Sequence, residues 1–280
     1  MGEMIMQNKK LKPRQLSAEE KWENATIANN FIFYKVMRHN PDVCKRLIEI
    51  LLEIEIDHIE LANEETIQID FGRKGVRLDV YAKNTDKSFC LEMQTADTGE
   101  LPERARYYQS AIDVDCLNTG QNYQNLPDSY VIFICVDDIF KKGLAKYEFE
   151  NLCTGDTSIK LNDRTYKHFF IAKNCDKILS NEEQKAFLKM VIQNESKSPF
   201  TDKLKNLVNN AKQNTQWKRQ FMDLEREKRF AYQDGKKDGA YDKAVETATN
   251  LLKMKIGTTE QIASATGLSI EDVKELEEDI

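Results

Sequence analysis

An α/β fold is what this 280-residue sequence predicts. Three observations carry it: helical periodicity near the start, a set of period-two segments after it, and one apolar run, Tyr130-Val-Ile-Phe-Ile-Cys-Val136, bounded by turn residues. That run has the pattern of a buried central strand. With 40% hydrophobic and 31% charged residues, the chain can bury one substantial core and still supply a second element.

Residues 1–17 are polar, lack periodicity and are read as a mobile lead-in. Residues 18–195 are read as one compact domain, and residues 196–280 as a helical tail ending in a helical hairpin. From Thr26 to about Leu52 the apolar positions Ile27, Phe31, Tyr34, Val36, Leu47, Ile48, Leu51 and Leu52 recur at helical spacing. Asn40-Pro41 splits this stretch into two helices. Strands are expected at Ile56 to Leu61, Thr66 to Phe71, Gly75 to Lys83 and Lys87 to Ala96, the last two forming a hairpin about Asn84-Thr85-Asp86. A helix follows over Pro102 to about Asn118. Tyr147 to Leu152, Ser158 to Leu161 and Tyr166 to Ala172 extend the sheet, with Asn162-Asp163-Arg164 as a hairpin turn between the last two. From Glu182 the pattern is helical and more polar, broken by Ser-Lys-Ser-Pro at 196–199, and Gly235 and Gly239 weaken the helix in the tail.

Composition removes several function classes. The net charge of −6 gives no general basic excess, so any nucleic-acid contact is local. Six scattered cysteines without a CxxC pair read as reduced, mostly packed thiols rather than zinc ligands. The N-terminus has no signal-like apolar run and no stretch approaches membrane-spanning length, so a cytoplasmic protein with no membrane partner is expected. His39, His58 and His168 stand apart from any nucleophile signature, and Gly72-Arg-Lys-Gly75 lacks the GxxxxGK[ST] pattern of a phosphate loop.

The chemistry concentrates on the hairpin. Strand alternation puts Asp79 on one face with Arg77 and Tyr81, and Glu92 and Gln94 on one face with Ser88 and Cys90. In an antiparallel pair about 84–86, residues whose numbers sum to about 171 face each other, which brings Asp79 to Glu92. Two adjacent carboxylates repel unless protonated or bridged by a cation, and hard oxygen donors suit magnesium or manganese better than zinc. One reading is a cation that polarises a phosphodiester, with Gln94 orienting the attacking water. The other is a pair of ordinary solvent-facing strand residues, and spacing alone leaves both open.

Asp79 followed thirteen positions later by Glu92-x-Gln94 resembles the D-x(n)-E-x-Q motif of the Rpn family of recombination-promoting nucleases and transposases, within the PD-(D/E)XK superfamily. Ala28 to Met37, Glu103 to Ser110, Gly120 to Tyr123 and Tyr130 to Cys135 agree with it, so the resemblance covers residues 22–175. It implies a restriction-endonuclease-like core, a mixed central sheet flanked by helices. It also implies a Mg2+- or Mn2+-dependent DNA endonuclease linked to recombination, mobile elements or defence, with Asp79 and Glu92 as metal ligands. Gln94 stands where the superfamily carries lysine, and Asn30 stands where family members often carry an acid, which makes it a degenerate upstream ligand. The alternative is a catalytically silent DNA- or protein-binding module that keeps the nuclease fold.

Arg104, Arg106 and Tyr108 on the following helix are candidate contacts to the DNA backbone, with Arg104 and Tyr108 sharing a face at i,i+4; the bland alternative is surface arginines and tyrosines packed on the sheet. In the tail, residues 200–243 hold eleven Lys and Arg against seven Asp and Glu, whereas 258–280 hold one Lys against seven acids. Thr259 to Leu276 has the outline of a helix-turn-helix, with a break at Gly267 and Ser269 as N-cap, but Glu271, Asp272, Glu275, Glu277 and Glu278 oppose phosphate approach. It is read as a unit for homodimerisation or a protein partner.

Overall fold

The computed structural model describes residues 16–61, 78–178 and 180–280. The predicted lead-in to residue 15, the strand at Thr66 to Phe71, Gly72-Arg-Lys-Gly75 and Arg77 lie outside the described residues.

Two units are distinguished, one running from Glu20 to Lys218 and the other including Arg219 to Ile280. The first begins inside α1 (Ala18–Glu23) and continues with α2 (Asn30–His39) and α3 (Pro41–Leu52). Asn29 caps α2 by accepting from the N–H groups of Phe31 and Ile32, and Pro41 starts α3 where its missing N–H costs nothing. Glu53, in the left-handed region at φ 57°, ends that helix.

A six-stranded mixed sheet follows in the order β1-β2-β3-β4-β8-β5. Its members are β1 (Glu60–Leu61), β2 (Val80–Lys83), β3 (Lys87–Gln94), β4 (Asp128–Cys135), β5 (Lys146–Phe149) and β8 (Thr165–Ile171). The predicted register holds: β2 and β3 are antiparallel with Val80 opposite Leu91 and Tyr81 opposite Cys90. The turn closes with the Asn84 N–H on the Lys87 carbonyl at 2.9 Å. From β3 the chain crosses through α4 (Leu101–Cys116) into β4, which lies parallel to both β3 and β8. A crossover helix is what a parallel pair requires.

That helix covers one sheet face. Leu101, Ala105 and Ile112 pack with Tyr81, Cys90, Val131, Phe133 and Phe169 in one buried cluster. On the other face Phe89, Leu91, Met93, Ile132, Ile134 and Phe170 are buried, and α2 packs on β2 and β3. Tyr130 stacks there on Phe89 at 5.3 Å and on Tyr166 at 4.9 Å, a cross-strand aromatic ladder. The first unit continues through α5 (Glu182–Gln193) and α6 (Pro199–Gln213), α6 packing on α2 and α5.

Several expectations are corrected. The strand expected from Ile56 shrinks to Glu60–Leu61, because the Ile56 N–H bonds the Glu49 carboxylate at 3.1 Å instead of a neighbouring strand. Asn162-Asp163-Arg164 is not a hairpin turn. The strands before it, β6 (Leu152–Cys153) and β7 (Asp156–Lys160), pair with each other in a separate two-stranded sheet, while β8 joins β4 and β5. Asn162 and Arg164 take φ 57° and 60° to make the change of direction. The break at 196–199 is a helix start inside the first unit, where Ser198 and Thr201 form a reciprocal capping box.

In the second unit Gly235 and Gly239 leave the helix unbroken: α7 runs Thr215–Lys253, beginning within the first unit. It is followed by α8 (Thr259–Thr266) and α9 (Ile270–Glu278). Gly267 at φ 80° ends α8 and Ser269 caps α9, as the sequence predicts. Ala248, Ile262, Ala263, Leu268 and Val273 form this unit's own small core.

Candidate functional site: an acid pair under a guanidinium

Asp79 sits just before β2, and Glu92 and Gln94 close β3, so the hairpin register alone decides their meeting. The Asp79 N–H donates to Glu92 Oε1 at 2.7 Å, and the Met93 N–H donates to Asp79 Oδ2 at 3.3 Å. Each acid thus takes a backbone N–H from beside the other. Glu92 is only 3% exposed. Its strand face is covered by α4 rather than open to solvent, so Glu92 is not an ordinary surface residue, while Asp79 beside it is half-buried.

From α4, one turn in, Arg104 reaches down onto this pair. Its guanidinium donates to Gln94 Oε1 at 3.1 Å, to Glu92 Oε2 at 3.4 Å and to the Tyr108 hydroxyl at 3.0 Å. It also lies over the rings of Tyr108 at 5.4 Å and Phe133 at 5.7 Å. Gln94 turns its amide N–H to the Ala96 carbonyl. Because Arg104 has only donors, the oxygen of Gln94 must face it, which leaves one lone pair and one amide hydrogen for other partners.

Electrostatics set the protonation state. Burial, and then the charge of Asp79, holds the Glu92 carboxyl well above the usual carboxylate range, against the pull of the Asp79 N–H and Arg104. Arg104 moves up as well. Burial opposes its charge, but Tyr108 and the two carboxylates more than compensate. Glu92 therefore loses more to burial and Asp79 than one guanidinium at 3.4 Å returns. Burial and the Glu92 charge push the Tyr108 hydroxyl up to about 12. Cys90, whose thiol points at Glu92 Oε1 at 3.8 Å, is raised well above a normal thiol by burial and then by the two acids.

This donor set fits a divalent cation: two hard carboxylates adjoin, and the more buried one lacks enough positive charge to ionise freely. Among the described residues no group of three or more His, Cys, Asp or Glu could hold a metal. From these residues the protein supplies two acids, leaving other positions to water and substrate.

The remaining candidates divide. Tyr108 joins Arg104 as predicted from their shared face, and it also stacks on Phe133 at 6.2 Å. Arg106 is exposed and does not join Arg104: two residues on, it lines a separate cleft. Asn30 is exposed at the first position of α2, and Asn29 beside it is the cap. The bonds to Glu92 and Gln94 come from Asp79, Cys90, Ala96 and Arg104. Cys90, which strand parity puts on the face of Glu92, does meet that acid, at 3.8 Å.

The sequence model of the family described as PD-(D/E)XK nuclease family transposase matches residues 29–248. The chain belongs to that family. No curated protein and no solved structure matches it.

Proposed function

We propose that this member of the PD-(D/E)XK nuclease family transposases is a Mg2+- or Mn2+-dependent DNA endonuclease that hydrolyses phosphodiester bonds at Asp79, Glu92 and Gln94, in the service of recombination, mobile elements or defence. The observation that carries the reading is the interlocked acid pair, in which Glu92 accepts the Asp79 N–H at 2.7 Å inside the fold. Arg104 alone does not offset the burial of Glu92 and the charge of Asp79, so full ionisation of the pair calls for a further cation.

Asp79 and Glu92 would hold the cation. When bound, it supplies Lewis-acid polarisation of the scissile phosphate and a water of lowered pKa. Gln94, fixed by Arg104 and Ala96, turns its remaining lone pair toward the hydrogen of the attacking water or its remaining N–H toward a phosphate oxygen. The water oxygen bonds to phosphorus, the bond from phosphorus to the sugar oxygen breaks, and that oxygen leaves with a proton. Arg104 would direct a remaining N–H of its fork to the phosphate. Arg106 contacts the backbone from a neighbouring surface, and Asn30, exposed at the start of α2 and bonded to none of these residues, is left out of the metal site. The α8–α9 hairpin, with its acidic second helix, serves a second copy or another protein rather than DNA.

No helix among the described residues is long and apolar enough to cross a membrane. The test is plasmid cleavage with magnesium or manganese by the chain and by Asp79→Ala. Metal-dependent nicking or linearisation by the first, reduced at least about a hundredfold in the second, is expected. Equal activity in both defeats the reading. Absence of cleavage together with retained binding of DNA would favour the silent binding module.

A further inference from the structure

The face of the sheet that carries Glu92 is only partly covered by α4. Beyond the helix, toward the outer strands β8 and β5, lies a cleft of about 480 Å³. Its wall is aromatic: Phe149 stands 43% exposed, braced by Phe140 at 5.2 Å and by Phe169 edge-on at 5.8 Å. Lys167 lies directly opposite Phe149 on the β5–β8 ladder, and Arg106 faces the cleft from α4. Glu150 at the rim is engaged by Lys160 at 2.7 Å, and the Asn151 amide is oriented by Asp163 and Thr165.

We propose that this cleft is a base pocket that seats one unstacked nucleotide of single-stranded or locally opened DNA. It rests on the nuclease reading and names the form of substrate that reading leaves open. An exposed, rigidly braced aromatic face, two cations and an oriented amide are the groups that bind a splayed nucleotide: stacking for the base, charge for its phosphate, an amide for its edge. The volume lies in the range of small-ligand sites. The cations stand out in a chain whose net charge is −6.

Position links the cleft to the acids. Arg104 and Tyr108 look from one flank of α4 toward Glu92, while Ala105 and Arg106 look from the other into the cleft. The two flanks lie one helix width apart, about 10 Å. A strand crossing the N-terminal half of α4 meets both.

The test is fluorescence anisotropy of the full-length chain with a labelled single-stranded oligonucleotide containing 2-aminopurine, without divalent metal so that nothing is cut. Phe149→Leu keeps apolar bulk at an exposed position but removes the stacking face, and it should weaken binding about tenfold. Phe149→Trp should restore binding, and the 2-aminopurine signal that changes on unstacking should vanish in the leucine variant alone. Replacing Arg106 and Lys167 by glutamine should flatten the salt dependence of log K by roughly 1.4, from two phosphate contacts on a single strand. Phe149→Leu binding as tightly as the parent, in a chain whose plasmid cleavage still depends on Asp79, overturns the pocket and leaves the nuclease intact. A chain that cuts duplex DNA but binds no single strand does the same. Neither binding nor cleavage by the parent chain removes both.

Discussion

Glu92 is where burial, charge and chemistry meet. Its folded pKa lies above its unfolded value, so the stability it contributes is complete below the ordinary carboxylate range and is lost as pH rises through the folded value. Without metal, the chain should therefore melt at lower temperature as pH rises above that range. Glu92→Gln should flatten this dependence and melt higher than the parent at alkaline pH, which a series of thermal melts would read; a variant that melts lower throughout contradicts the assignment. His168 works in the opposite direction. Burial lowers its pKa to about 4 from 6.5, with Glu148 at 3.2 Å and Lys146 as the charges facing it. Stability is thus full above pH 6.5 and falls as the ring is forced to charge between about 6.5 and 4. His168→Phe should move the acid-unfolding midpoint down, and an unmoved midpoint would show that other groups control it. At this scale the sequence told much about Asp79, Glu92 and Gln94, because strand parity and a hairpin register are local. It could not separate Arg104 from Arg106, since which flank of a helix faces an acid depends on how that helix lies over the sheet.

The sheet is held by β3 and β4, each buried on both faces, and the site depends on them. Phe133 is fully buried, stacks on Phe169 at 5.3 Å and lies under the Arg104 guanidinium. Phe133→Ala should cost about 3–5 kcal/mol by urea denaturation and loosen Arg104 as well. A loss below about 1 kcal/mol would mean that the ring is not the support it resembles. α7 is the contrasting element. From Arg226 to Lys243 it is exposed on every side, held by pairs such as Arg226 with Asp223 and Lys237 with Asp234. An added Cβ at Gly235 or Gly239 meets nothing within 4 Å. Each Gly→Ala change there should stabilise the helix by about 0.5–1 kcal/mol and slow amide hydrogen exchange locally, leaving cleavage unaltered. Helices and the central strand were legible because their periodicity is internal to each segment. The turn at 162–164 was misread because β8 takes its partners from β4 and β5 rather than from the segment just before it, and sequence proximity says nothing of that choice.

Among the described residues, one buried cluster gathers around Phe133 and Leu101, and a smaller one around Ala248 and Val273. The mixed order of the sheet was legible only as a class, α/β with a hairpin and a crossover, and the family resemblance supplied the rest. What no local pattern could show is the interior setting of Glu92, because that setting needs α4 laid across β3. The central claim is that this acid pair holds a divalent cation. Titration calorimetry with manganese, in two buffers of different ionisation enthalpy, tests it most directly. The parent chain should bind Mn2+ and release a proton from Glu92 as it does so, and both Asp79→Ala and Glu92→Ala should lose that binding. Manganese binding of equal strength in the parent and both variants, or none in the parent, would contradict it.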